Sequence, residues 1–133
     1  MQELRTAWPD RVIITELAIT RSVGCDPDRM AQLISNLLAN ALTHGSASAP
    51  VYVRARTDQT CFELSVTNAG QQIPAKALPQ LFQPFKRKEG GGPRSGLGLG
   101  LYIASQIAHG HGGTLDVHST PAETCFRLVM PLD

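Results

Sequence analysis

The sequence predicts an α+β domain built as a two-layer α/β sandwich, with a mixed, mostly antiparallel sheet covered on one face by helices. Three observations predict it. Two long segments carry apolar residues at helical spacing, four short ones alternate apolar and polar residues, and the alternating ones come in adjacent pairs with turn residues between them. At 133 residues the chain fits a single domain, and 42% hydrophobic residues are enough for a core that folds without staples.

The elements follow in order. Val12 to Ile14 is a short β-like run. Asp26 and Pro27 mark a helix start, a capping carboxylate followed by proline at the first helical position. From about Asp28 to His44, Met30, Leu33, Ile34, Leu37, Leu38 and Ala41 repeat at i, i+3, i+4, i+7, and Gly45 stands where a C-terminal cap belongs. Val51, Val53 and Ala55, then Phe62, Leu64 and Val66, flank the polar turn Thr57 to Thr60, the pattern of an antiparallel hairpin with one wet face. After Asn68, Ala69, Gly70 and Pro74 comes a short helical stretch, Lys76 to Phe82. A glycine-rich segment, Lys86 to Ser95, reads as a loop. The second long helix starts near Gly98, carries Leu99, Ile103, Ile107 and Ala108 on one face, and stops at Gly110, Gly112 and Gly113. Leu115 and Val117, then Phe126, Leu128 and Met130, form the last two strands, joined around Pro121.

Composition narrows the function. Charged residues are 17% and the net charge is +1, so there is no global basic field of the kind that holds nucleic acid, and any phosphate site must be local. Cys25, Cys61 and Cys125 are odd in number and far apart, which suggests neither a disulfide framework nor a zinc site and fits a reduced, cytoplasmic setting. No apolar run reaches the roughly 18 residues of a membrane span, and Trp8 and Pro9 stand where a signal peptide needs an apolar stretch. The domain is expected to have no direct membrane contact, although a larger parent can be membrane-attached.

Four segments carry residues suited to chemistry. Asn36, Asn40 and Thr43 fall on one narrow arc at the edge of the first helix's apolar stripe, where an amide carbonyl can ligate Mg²⁺ jointly with substrate phosphates; the plain alternative is that both asparagines bond neighbouring backbone. Ser95 to Leu101 (SGLGLGL) runs into the second helix, so glycines and free helical N–H groups make an anion cradle, or else the segment is a linker. It is neither a P-loop, which needs Gly-Lys-Ser/Thr, nor a dinucleotide fingerprint, which follows a strand. Residues 83–96 hold Lys86, Arg87, Lys88 and Arg94 against Glu89 alone, charge that suits a triphosphate as well as an ordinary solvated loop. Asn68 and Gly70, at the end of an apolar strand, suit either base recognition or a simple turn.

In this order the segments resemble the ATP-binding catalytic domain of sensor histidine kinases, the Bergerat fold shared with the gyrase, Hsp90 and MutL ATPases. Asn36 to Ala41 (NLLANA) resembles the N box, Asn68 to Pro74 (NAGQQIP) the G1 box, Leu81 to Phe85 (LFQPF) the F box and Gly96 to Leu101 (GLGLGL) the G2 box. His111 to Leu115 (HGGTL) and Phe126 to Leu128 are similar as well. The resemblance implies ATP and Mg²⁺ as cofactors, with Asn40 as the metal ligand and Asn36 supporting the phosphate side. It places His44, Asn68, Gly70, Ile73 and Phe85 about the nucleotide, Asn68 at the adenine-reading position. Gly96, Leu97, Gly98, Leu99 and Gly100 would lie against the phosphates, Arg87 would approach the γ-phosphate, and residues 86–96 would be the ATP lid, anchored by Phe82 and Phe85. The implied activity is transfer of the γ-phosphoryl group to a histidine on a separate dimerisation and phosphoacceptor domain of the same kinase, which then serves a response regulator receiver domain.

Three positions depart from the family pattern. Asn68 replaces the usual aspartate, Gln72 the usual second glycine of the G1 box, and Thr43 a lysine or arginine. The family's hydrolases carry a glutamate base at the position of Asn36, whose amide cannot accept a proton, whereas a neutral imidazole acceptor is already a nucleophile. His44, His109, His111 and His118 do not resemble the phosphoacceptor, and His109 and His111 read as capping groups at a helix C-terminus. Two other readings stay open: an anti-sigma-type serine kinase, and a nucleotide-binding module without catalysis.

Overall fold

Asp26 starts the first helix. In the computed structural model, which describes residues 12–46, 48–70, 72–83 and 99–132, its carboxylate accepts from the N–H groups of Asp28 and Arg29 at 3.0 and 3.2 Å. These are two of the donors that a helix leaves without internal partners, and Pro27 fills the first position, where no N–H is missed. Helix α1 (Pro27–His44) buries Met30, Leu33, Leu37, Leu38, Ala41 and Leu42. Ile34, expected on the stripe, is only partly buried against the same core. Each fully buried leucine contributes roughly 1.5–3 kcal/mol relative to exposure.

Five strands form one sheet: β1 (Ile13–Ala18), β2 (Val51–Thr57), β3 (Cys61–Asn68), β4 (Thr114–Ser119) and β5 (Thr124–Pro131), in the order β1-β2-β3-β5-β4. β1 pairs with β2 in parallel, from Ile13 opposite Val51 to Ala18 opposite Arg56, and the other three pairings are antiparallel, so the sheet is mixed as expected. β1 is twice the length that Val12 to Ile14 suggests. Its second half is held by the backbone ladder rather than by burial: Leu17 lies 68% exposed at the sheet edge, so no alternation marks it.

The β2–β3 turn is built by Asp58, whose carboxylate accepts the N–H groups of Thr60 and Cys61 at 2.7 Å each, while its own N–H reaches the Cys61 carbonyl. Those bonds favour the ionised form, the Thr60 N–H most, and hold this carboxyl below the ordinary aspartate range. Inward side chains of all four antiparallel-paired strands, among them Val53, Leu64, Leu115, Phe126 and Leu128, meet the helices in the core. The outer face is wet and carries the pairs Arg54–Glu16, Arg56–Glu63 and Arg127–Glu63. Exposed pairs of this kind contribute about 0–1 kcal/mol each.

Beyond β3 the short helical stretch is a 3-10 helix, Ala75–Gln80, which starts one residue before and ends two residues before the expected Lys76 to Phe82 and holds Pro79 within it. Helix α2 (Gly100–Gly110) begins two residues later than expected among the described residues. Its buried residues are Ala104, Ser105, Ile107 and Ala108; Ile103 is only partly buried and Leu99 precedes the helix. Ala104 and Ala108 are completely buried, and α2 packs against α1. At its end His111 joins the helices. One ring nitrogen, Nδ1, bonds the Ile107 carbonyl at 2.8 Å, and Nε2 accepts the Asp26 N–H at 3.1 Å, which assigns the proton to Nδ1. Among the described residues Cys25, Cys61 and Cys125 are free thiols, and no helix is long and apolar enough to cross a membrane.

Candidate functional site

Helical spacing puts Asn36, Asn40 and His44 in one row on α1, since residues four apart stack on the same face. Asn36 and Asn40 are half-buried and His44 is exposed. The row spans about 12 Å from Asn36 to His44 at 1.5 Å per residue, and each of its ends meets another element.

At the first end, Asn36 Nδ2 donates to the Gly100 carbonyl at 3.1 Å, tying α1 to the first turn of α2. Among the described residues no side chain caps that turn: Leu99 stands at the cap position without a side-chain bond, and a Cβ built on Gly100 would meet none of them within 4 Å. The α2 N-terminus therefore offers N–H donors and the positive end of the helix dipole that no described side chain takes up, the environment that suits an anion.

At the second end the chain reverses against β3. Gly45 N–H bonds the Ala41 carbonyl at 2.8 Å and Ser46 N–H bonds the Ala69 carbonyl at 2.7 Å. A Cβ on Gly45 would stand 2.5 Å from the Ala41 oxygen and 3.0 Å from Asn68 Nδ2, so only glycine lets the two segments approach this closely. Gly70, at φ 157°, packs its α-carbon side against Gly45 and the His44 carbonyl. Asn68 is 6% exposed, and its Nδ2 donates to the Ala69 carbonyl at 3.1 Å. That bond orients the amide, leaving Oδ1 as an acceptor that no described residue occupies.

Beyond Gly70, Ile73 is half-buried and its N–H donates to Ser119 Oγ at 2.9 Å. Phe82 packs edge-to-face on Phe126, with ring centroids 6.1 Å apart and an interplanar angle of 82°. The described residues thus bring together Asn36 with Gly100, and His44 and Gly45 with Asn68 and Gly70, and Asn40 lies between the two on the α1 row. Leu99 sits just before α2. Phe85, Arg87, Gly96, Leu97 and Gly98, with segment 86–96, lie outside the described residues.

Among the described residues no group of three His, Cys, Asp or Glu could hold an ion by itself, so a divalent cation here would depend on an amide oxygen such as that of Asn40 together with oxygens of a ligand, the habit of Mg²⁺ rather than Zn²⁺.

The model of the family described as Histidine kinase-, DNA gyrase B-, and HSP90-like ATPase matches residues 25–133. The chain belongs to this family. Relatives of this histidine-kinase-like ATPase domain include a bacteriophytochrome of Pseudomonas aeruginosa, 40% identical over 136 aligned positions that cover 98% of this chain and 18% of that protein. Sensor histidine kinase TrcS of Mycobacterium tuberculosis is 38% identical over 116 positions, covering 83% of this chain and 23% of that protein. The chain therefore spans less than a quarter of the length of these relatives. Among solved structures, the mycobacterial sensor histidine kinase MprB superposes with a TM-score of 0.82 at 29% identity over 98% of this chain and 90% of that one. The catalytic domain of histidine kinase ThkA, in a nucleotide-free form, shares the fold with a TM-score of 0.77 at 24% identity, covering 98% of this chain and 86% of that one. The expected family and α+β fold are thus borne out.

Sequence reasoning missed Ser119 and Thr124 at the site's margin. A signal was available: carrying the alternation Met130, Leu128, Phe126 back two residues puts Thr124 on the buried face, where it is 5% exposed.

Proposed function

We propose that this domain binds Mg·ATP along the α1 row and transfers the γ-phosphoryl group to a histidine on a separate dimerisation and phosphoacceptor domain of the same kinase, from which a response regulator receiver domain takes it. The observation that carries this reading is the row itself: Asn36, Asn40 and His44 lead from a helix N-terminus that no described side chain caps, suited to phosphates, to a buried asparagine with an acceptor that no described residue occupies, suited to an adenine amino group.

Each residue has a role that follows from its chemistry. The N–H groups of the first α2 turn receive phosphate oxygens, and Gly100, with no described residue where its Cβ would stand, admits them closely. Asn40 would hold Mg²⁺ jointly with the phosphates, and the ion when bound supplies charge neutralisation on the transferring group. Lys86, Arg87, Lys88 and Arg94 add cationic charge from the segment just before α2, which we read as the ATP lid, with Arg87 as the residue that approaches the γ-phosphate. Asn36 is bound by its own geometry to a positioning role. Its amide N–H is committed to the Gly100 carbonyl, and a glutamate there would turn a carboxylate oxygen toward that carbonyl. At this position the site thus offers no side-chain base to activate water, which suits an acceptor, such as neutral imidazole, that needs none.

The test is transfer itself. The domain, incubated with its cognate acceptor domain, Mg²⁺ and ATP labelled at the γ position, should place label on the acceptor in an acid-labile, alkali-stable linkage. Label on serine of a partner protein would move the reading to the anti-sigma-type kinases. Tight ATP binding without transfer would make the domain a nucleotide-binding module.

A further inference from the structure

Asn68, Thr124 and Ser119 stand in a row across three strands at one end of the sheet: Thr124 is the register partner of Asn68 on β3 and of Ser119 on β4. All three fall on the helix-facing side, in phase with Val66, Phe126 and Val117, and Asn68 and Thr124 are 6% and 5% exposed. Ser119 Oγ and Thr124 Oγ1 are 2.7 Å apart.

The chain leaves this row at Asn68, passes over the end of α1 at Gly70, and returns to the same row at Gln72 and Ile73. There Ile73 N–H donates to Ser119 Oγ at 2.9 Å, and Gln72 Nε2 donates to the Ser119 carbonyl at 3.2 Å. The segment that carries Ile73 is therefore tied at both ends to one buried polar row, and Ser119 holds the far end twice. Gln72 takes part only because it is not the glycine usual at this position of the G1 box; a glycine has no donor to offer.

We infer that Ser119 and Gln72 are positioning residues for the base side of the nucleotide site: by pinning the segment from Asn68 to Ile73 before any ligand arrives, they set how tightly and how selectively the base is held. The inference rests on the Mg·ATP reading above. A wall that is already fixed spares the ligand the ordering entropy that a free loop would charge to binding. Neither residue touches the phosphate end, so the effect belongs to affinity and base choice, not to the transfer step.

The two ties differ in strength. The Ile73–Ser119 bond is partly buried and the Gln72 bond is exposed to solvent, where water competes for both partners. Ser119→Ala should therefore weaken Mg·ATP binding by about fivefold to tenfold and Gln72→Glu, which keeps the shape but cannot donate, by about threefold. Ser119→Thr keeps the hydroxyl and should stay within about twofold of the parent. The preference for ATP over GTP should fall in the same order, with kcat for acceptor phosphorylation unchanged. The experiment is calorimetric titration of the parent and the three variants with Mg·ATP and Mg·GTP, alongside thermal unfolding of each without nucleotide. If the parent itself binds no Mg·ATP, the proposed function fails. If the parent binds and both Ser119→Ala and Gln72→Glu match it within twofold, the positioning inference is overturned. It is overturned equally if ATP and GTP weaken in parallel while the unfolding midpoint collapses, the mark of a purely structural tie. Gln72→Glu, changed at an exposed position, keeps the question open to test should Ser119→Ala fail to fold.

Discussion

Asn40 stands in the middle of the α1 row and Asn68 at the end of β3, and because the proposed site gives them different parts of the nucleotide, substituting each should have a different signature. Asn40→Ala removes a half-buried amide from mid-helix and replaces it with a better helix former, so the fold should keep its cooperative transition within about 1 kcal/mol. Mg²⁺-dependent nucleotide binding should fall about tenfold or more, and calorimetry with and without chelator separates the two effects. Retained Mg²⁺-dependent binding would move the metal ligand elsewhere. Asn68→Asp should act in two directions at once. Aspartate cannot donate to the Ala69 carbonyl and sets a buried carboxylate beside it, so denaturant unfolding of the ligand-free domain should reveal a loss of about 1–3 kcal/mol. Nucleotide binding should nevertheless tighten several-fold, because a carboxylate accepts the adenine amino group through a charge-assisted bond roughly twice as strong as a neutral one. Unchanged or weaker affinity would argue against Asn68 as the base reader.

Among the elements, the β2–β3 hairpin has the clearest pH dependence. Asp58 closes its turn as a carboxylate accepting two backbone N–H groups, and its pKa is lowered on folding, chiefly by the Thr60 N–H. The sign follows from linkage: a carboxyl depressed in the folded state adds stability above its unfolded pKa and loses it as pH falls through the folded value. The stability difference between the parent and Asp58→Ala should accordingly be constant from neutral pH down to about 5 and narrow below about 4, measured by urea titration across that range. A gap that stays constant into acid would mean the turn does not depend on the charge. The same hairpin was legible in the sequence because alternation and turn residues are local signals, as was α1 with its capping aspartate. The second half of β1 was not, since Thr15, Glu16 and Leu17 owe their strand to pairing with β2 and not to burial. The α2 stripe was legible in part: Ile107 and Ala108 are buried as expected, whereas Ile103 is only partly buried and Ala104 and Ser105 are buried beside them, small residues that carry little hydrophobic signal.

For the whole molecule, helices, sheet and site share one core, so a ligand that binds only the folded state must raise global stability by mass action. Mg·ATP at a hundred times its dissociation constant should add about 2.7 kcal/mol to the unfolding free energy in a single transition, read from denaturant midpoints across a nucleotide series. A midpoint indifferent to Mg·ATP would remove the nucleotide site. The fold class, the family through its four ordered boxes, and the residue types available at the site are legible in the linear chain, because periodicity, caps and motifs are written in neighbouring positions. How those residues are used depends on packing across the fold. That Asn36 spends its amide on Gly100, 64 residues away, and that Ser119 anchors Ile73 across 46, are hydrogen bonds between segments whose meeting depends on how α1, α2 and the sheet pack, and no local pattern in the chain records that distance.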